Sequence, residues 1–250
     1  TCDICLDGFQ TACPHGGYFS TCQSEVVRVP QADGTLVVAP ATEDEAILKS
    51  YLALSDVYLT GYHAAFMGKV EPGKSVTVIG DGAVGLSAVL AASRMGADRI
   101  ILMGRHTDRT DLGREFGATD VVAERGQEGV EKVRSMTDGQ GTHVVLEAVG
   151  HMAAYEQSYG VVRSGGVISR VGVPQYEDAP VGFMSLFGRN ITLTGGPAPV
   201  RAYLEQGLKD VTSGLINPGQ LFDVTLPLDE APKGYELMDS RKALKVMLKP

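Results

Sequence analysis

The chain has 250 residues, 44% of them hydrophobic and 21% charged, enough to bury one large core or two smaller ones. Its net charge of −8 opposes binding along a phosphate backbone, so nucleic acid is not an expected partner and any anionic ligand needs a local site. No run of about eighteen apolar residues offers a spanning helix, and no charged-then-apolar leader precedes Thr1, so a cytoplasmic protein without membrane contact is expected.

Residues 1–40 are rich in Gly, Pro and Cys, with short apolar alternation at Val26, Val27 and Val29, and read as loops and short strands. The chain opens on Thr1 beside a cysteine cluster, an unusual place for a natural start, which suggests upstream sequence. Cys2, Cys5 and Cys13 are spaced C-x2-C-x7-C; in a reducing compartment such clusters hold metal more often than disulfides. Three thiolates leave a structural zinc one ligand short, and Cys22 or His15 is close enough in sequence to supply the fourth. Free thiols in a loop are the alternative reading.

From Glu43 to Ala65 apolar residues recur at helical spacing, with an interruption at Ser55-Asp56, which predicts two helices broken at Asp56. An isolated Asp before a helix commonly acts as an N-cap. His63, beside Tyr62 and Phe66, reads as a packing or solvent residue. After Pro72-Gly73 short apolar runs alternate with helical segments: strands over 75–79, 99–103, 120–123, 144–146 and 166–171, and helices over 83–95, 108–116, about 129–135 and 153–162. Nearly continuous apolar strands between helices imply an α/β fold, a doubly wound parallel sheet covered on both faces. The remainder reads as a Gly-Pro opening, a helix from Val200 to Ser213, an apolar segment from Phe222 to Leu226 and a short strand near Val246 to Leu248.

Gly80-Asp81-Gly82-Ala83-Val84-Gly85 matches G-x-G-x-x-G, directly after one predicted strand and directly opening a helix, the context that turns a weak pattern into a dinucleotide fingerprint. Gly80 permits the tight turn, Gly82 lets the backbone approach a pyrophosphate, and Gly85 allows close helix-to-strand packing. The pyrophosphate then sits at the helix N-terminus, with Ala83 and Val84 in the first turn. An NAD site usually carries an acidic residue at the end of the second strand. Here that strand ends Leu102-Met103-Gly104-Arg105-His106, without a carboxylate. Gly104 leaves room, Arg105 offers a planar fork to a phosphate, His106 adds a donor and Arg109 follows one turn on, so NADP is favoured over NAD. A solvated Arg105 that tolerates either nucleotide is the alternative.

These residues together resemble the zinc-dependent alcohol dehydrogenases of the medium-chain dehydrogenase/reductase family. That family's structural-zinc lobe reads C-x2-C-x2-C-x7-C, and Cys2, Cys5 and Cys13 look like its last three members, the first falling three positions before Cys2. Further points of resemblance are Glu25 to Pro30 with Ala32-Asp33-Gly34, Ser55-Asp56 through Thr60-Gly61-Tyr62, and Gly195-Gly196-Pro197. The resemblance implies that residues 1–56 are the remainder of a GroES-like, β-rich catalytic domain with the zinc lobe. Residues 57–194 would be the Rossmann dinucleotide-binding domain and residues 195–250 the return to the catalytic domain.

It further implies that Asp56 is a ligand of a catalytic zinc, in competition with its reading as a cap, and that Thr60 approaches the nicotinamide or its ribose. Val149-Gly150 and Val171-Gly172-Val173 would line the nicotinamide half of the cofactor, and Lys245 would reach the pyrophosphate. The expected activity is hydride transfer between NADP or NAD and a small alcohol, aldehyde or ketone, with zinc as Lewis acid, in a homo-oligomer (dimer or tetramer) joined through an edge strand. Two alternatives stand beside it: a nucleotide-binding module without turnover, and a zinc-free quinone or enoyl reductase, a group that usually lacks the cysteine lobe.

Overall fold

The computed structural model of the chain describes residues 2–17, 22–178 and 181–250. The elements run α1 (Asp3–Leu6), α2 (Ala32–Thr35), α3 (Glu45–Leu54), α4 (Val57–Met67), β1 (Ser75–Ile79), α5 (Ala83–Arg94), β2 (Arg99–Met103), α6 (Thr107–Glu115), β3 (Asp120–Val122), α7 (Gly126–Ser135), β4 (Thr142–Glu147), α8 (Met152–Val161) and β5 (Val162–Arg170). They continue with α9 (Phe183–Phe187), β6 (Thr192–Gly195), α10 (Val200–Thr212), β7 (Val224–Pro227), α11 (Ala231–Asp239) and β8 (Val246–Lys249). Two compact units result: Val57–Ala198, and a second formed by Thr1–Asp56 with Pro199–Pro250.

In the unit Val57–Ala198 the six strands pair in the order β3-β2-β1-β4-β5-β6, every pair parallel. This is the doubly wound arrangement, whose order reverses between β1 and β4 and opens a crevice at the C-terminal ends of those strands. Val76, Val78, Val144, Val145 and Leu146 are buried because both faces are covered, which explains their unbroken apolar runs. One face packs Ile79, Ile101, Val145 and Ile168 against Val130 and Val133 of α7 and Tyr155 of α8. Towards the other face, α4 and α5 approach so closely that a side chain at Gly61 would overlap the backbone of Ser87 and Ala88. His63 on α4 is buried, with 2% of its surface exposed, and burial pushes its imidazole below the ordinary value.

In the other unit, β7 and β8 form a two-stranded parallel sheet, and α3 carries a conventional cap in which Asp44 Oδ1 accepts from the Ala46 N–H at 2.8 Å. Ser50 Oγ donates to Asn217 Oδ1 at 3.0 Å and accepts from the Gly219 N–H at 3.1 Å. Among the described residues no strand precedes Ser75. Val26 and Val27 are exposed, and among the described residues the short strands expected before Pro40 are not formed. Val57–Ala198 keeps Gly195 within the sheet, opposite Arg170.

Candidate functional site

The glycine-rich segment lies where the strand order reverses. Gly80 follows β1 with φ +111°, a conformation that side chains resist. A Cβ at Gly85 would overlap the carbonyl oxygen of Gly80, so the turn closes only with hydrogen there. Gly82 is the N-cap of α5, and a Cβ at that position would meet nothing within 4 Å. One glycine is thus required by the fold, and the other faces open space in front of a helix N-terminus. Ala83, Val84 and Gly85 form the first turn of α5, whose N–H groups have no acceptor within the helix and suit an anion.

At the end of β2 the structure differs from the sequence expectation. Asp81, 8% exposed, reaches across from the glycine segment. Its Oδ2 accepts from the N–H of Arg105 at 2.8 Å and of His106 at 3.0 Å, and contacts His106 Nδ1 at 2.8 Å. Burial pushes the Asp81 carboxyl up, but these donors and the His106 charge outweigh it and hold the group below the usual carboxylate range. The room expected beside Gly104 is filled: a Cβ there would lie 2.5 Å from Asp81 Cβ and 2.9 Å from Oδ2. The strand end therefore does have a carboxylate, supplied by the neighbouring loop, and His106 is engaged with it. Arg105 is exposed and Arg109 half-buried, and neither forms an ion pair among the described residues.

Beside this tip is a cavity of about 200 Å³ bounded by Gly80, Asp81, Gly104, Arg125, His151 and Gln157, among others. Complete ligand sites occupy roughly 300–1,000 Å³, so the cavity is large enough for no more than one end of such a ligand. Across the crevice, Glu147 at the end of β4 joins the two segments expected at the nicotinamide. Its Oε1 accepts from the N–H groups of Val149 and Gly150, each at 2.7 Å. Its carbonyl oxygen accepts from Val171 at 2.9 Å and Gly172 at 3.1 Å. A Cβ at Gly150 would overlap the Val173 carbonyl, so Val149-Gly150 and Val171-Gly172-Val173 are pressed together as one wall, with Val173 exposed. Glu147 went unnoticed in the sequence. A lone acidic residue closing an apolar strand, Val-Val-Leu-Glu, was the available signal, because a buried polar group needs hydrogen-bond partners.

Thr60 is half-buried on α4. Asp56 is exposed at the junction of α3 and α4, and among the described residues no group of three metal-ligating side chains includes it. Lys245 belongs to the other unit, at the entry to β8, where its N–H donates to Asp223 Oδ1 at 3.1 Å. Cys2, Cys5 and Cys13 do converge. Their Sγ atoms lie within 4.8 Å of one another, with Cys2 Sγ 3.6 Å from Cys5 Sγ and 3.9 Å from Cys13 Sγ. Thiolates on one tetrahedral zinc at about 2.3 Å stand about 3.8 Å apart, so the donor set fits that ion. The Cys5 N–H lowers the Cys2 thiol, whereas hydrogen bonding with Cys13 raises the Cys5 thiol. Neither Cys22 nor His15, both exposed, joins the group, so the expectation that one of them completes it is not met.

The description "Zinc-binding dehydrogenase" belongs to the family whose sequence model matches residues 83–210, slightly more than half of the chain. The chain belongs to this family. It is 32% identical over 261 residues to zinc-type alcohol dehydrogenase B of Aspergillus flavus, covering 99% of this chain and 60% of that one. It is 34% identical over 150 residues to the NADP-dependent isopropanol dehydrogenase of Entamoeba histolytica, covering 59% of this chain and 40% of that one. A solved alcohol dehydrogenase from Thermus sp. ATN1 superposes with a TM-score of 0.92 at 34% identity, covering 100% of this chain and 74% of that one. The chain spans about 60% of the length of the Aspergillus relative. Family membership agrees with the parallel sheet, the glycine turn and the thiolate trio. Among the described residues no helix is long and apolar enough to cross a membrane.

Proposed function

We propose that the protein is a zinc-dependent alcohol dehydrogenase that transfers hydride between a nicotinamide dinucleotide and a small alcohol, aldehyde or ketone. The observation that carries this reading is the turn from Gly80 to Gly85 at the reversal point of the sheet, closed where the fold needs it and open at Gly82. Gly82 and the first turn of α5 hold the pyrophosphate, Gly104 and its neighbours the adenosine ribose, and the wall organised by Glu147 the nicotinamide end. Thr60 is assigned to the nicotinamide or its ribose, Lys245 to the pyrophosphate and Asp56 to the catalytic zinc. Bound zinc supplies Lewis acidity towards the substrate oxygen, and the nicotinamide carries the hydride. The chain's own share is to fix the nucleotide and exclude water along the wall.

Of the two nucleotides we favour NADP, because Arg105 follows the end of β2, Arg109 lies in the first turn of α6 and a relative of similar sequence is named as NADP-dependent. We infer a reducing compartment, the cytoplasm, from the free cysteines Cys2, Cys5 and Cys13 gathered at metal-ligating distances. Assembly into a homo-oligomer is supported by β6, an edge strand paired only with β5, and by the exposed Phe183, Met184 and Phe187 of α9. The reading is tested by following the near-ultraviolet absorbance of reduced nicotinamide with each nucleotide and a panel of alcohols, before and after chelation of metal. Chelator-sensitive turnover is expected. Tight nucleotide binding with no turnover on any alcohol would leave a binding module instead.

A further inference from the structure

We propose that Asp81 is a specificity-determining residue for the nucleotide, acting at the adenosine ribose against the two arginines and so keeping the unphosphorylated dinucleotide acceptable. This deepens the NADP reading above and rests on it. Asp81 stands at the second position of the glycine turn, yet its carboxylate occupies the end of β2, where it takes the space beside Gly104 and bounds the cavity at that tip. Only Oδ2 is used by the protein, for the N–H groups of Arg105 and His106 and the His106 ring. Oδ1 accepts from no described residue and is not among the buried unpartnered atoms, so it remains open to a ligand.

The consequence is an opposition within one site. A free 2′-hydroxyl donates to a carboxylate oxygen, whereas a 2′-phosphate has nothing to donate and meets a fixed negative charge. Arg105 and Arg109 attract that same phosphate. Moreover, Asp81 already occupies the two backbone N–H groups and the imidazole nitrogen that would otherwise help to hold the phosphate. The preference of the enzyme is therefore a balance, with Asp81 on one side. Glu124, the other carboxylate bounding the cavity, follows β3 and makes no bond to the β2 tip.

The test is fluorescence titration of the full chain with NADH and with NADPH at one pH and ionic strength, for wild type, Asp81→Asn, Asp81→Ser and Glu124→Gln. Asn keeps an acceptor for the two backbone N–H groups. Ser keeps the measurement available should the amide crowd the His106 ring. Both Asp81 variants are expected to shift the ratio of dissociation constants towards NADPH by about tenfold or more, the effect of removing one unit charge near a phosphate. Glu124→Gln, which removes a charge from the same cavity wall but not from the β2 tip, is expected to shift the ratio in the same direction by clearly less than either Asp81 variant. A ratio unmoved in folded Asp81 variants, or moved equally by Glu124→Gln, overturns the assignment alone. A folded wild type that binds neither nucleotide overturns the dinucleotide reading and the assignment with it.

Discussion

Two glycines three residues apart in the same turn should fail in opposite ways. Gly82 has φ −80° and ψ 176°, backbone that any residue adopts, and a Cβ there has open space for at least 4 Å. Gly82→Val therefore costs the protein only the poorer capping of valine, about 1 kcal/mol, or a fall of roughly 2–4 °C in Tm for a unit of this size. For the ligand the same change is severe. The added methyl groups occupy the approach to the first turn of α5, and losing two charge-assisted N–H bonds to the pyrophosphate, at about 1.5–3 kcal/mol each, weakens binding by at least about a hundredfold. In Gly85→Ala the new methyl overlaps the Gly80 carbonyl, so the strand end or the helix must shift and several kcal/mol of stability are lost. Thermal melts paired with NADH and NADPH titrations separate the two effects. Gly82→Val that binds either nucleotide within tenfold of wild type would refute the placement of the pyrophosphate. A Tm as low as that of Gly85→Ala would refute the claim that Gly82 is free of the fold.

Arg105→Ala should weaken NADPH binding much more than NADH binding, because it removes the arginine that follows the end of β2; equal losses in the two titrations would count against NADP. His63 is buried with a lowered pKa, so between its ordinary value of about 6.5 and the folded value the unfolded chain binds more protons. Stability therefore rises with pH across that window and is lost as pH falls through it; His63→Gln should flatten the Tm profile between about pH 7 and 5, and an unchanged slope would assign the loss to another group. Cys5→Ser should reduce bound zinc by one equivalent per chain under reducing conditions, measured by elemental analysis; zinc content equal to wild type would mean that the thiolate trio is not a metal site.

The parallel sheet was legible because its interior strands are covered on both faces. Ser75–Ile79 and Arg99–Met103 coincide with the expected segments, and their alternation with helical segments pointed to a parallel sheet. Elements with mixed surroundings were harder to see. β6 is the sheet edge, where Thr192 and Leu193 are exposed, so no periodicity marks it. α11 contains Pro232 and Gly234, which read as breakers, but the proline lies in the first turn, where no N–H is needed. β5 begins at Val162, immediately after α8, and its Ser-Gly-Gly stretch disguised the start. In the site, the glycine turn announced itself through local order: strand, turn, helix. The role of Asp81 did not, because its partners lie 24 and 25 residues away and are brought near only by the pairing of β1 with β2. The absence of an acidic residue from the end of β2 was a correct reading of the strand and an incomplete reading of the space around it.

The division of the chain bears on the timing of its synthesis. Val57–Ala198 is continuous in sequence and can fold as it leaves the ribosome, whereas the other unit is assembled from pieces on either side of it. Ser50, which ties α3 to Asn217 and Gly219, must wait for a partner 167 residues further on, roughly 8–33 s at ordinary translation rates. During that interval the face of α3 around Ala46 and Ser50, which packs on α10 and on Pro218–Leu221, has nothing to cover it, and the nascent chain offers that face to chaperones. Mutations in α10 or near Pro218 should accordingly be felt first as loss of soluble yield, with the nucleotide half already folded.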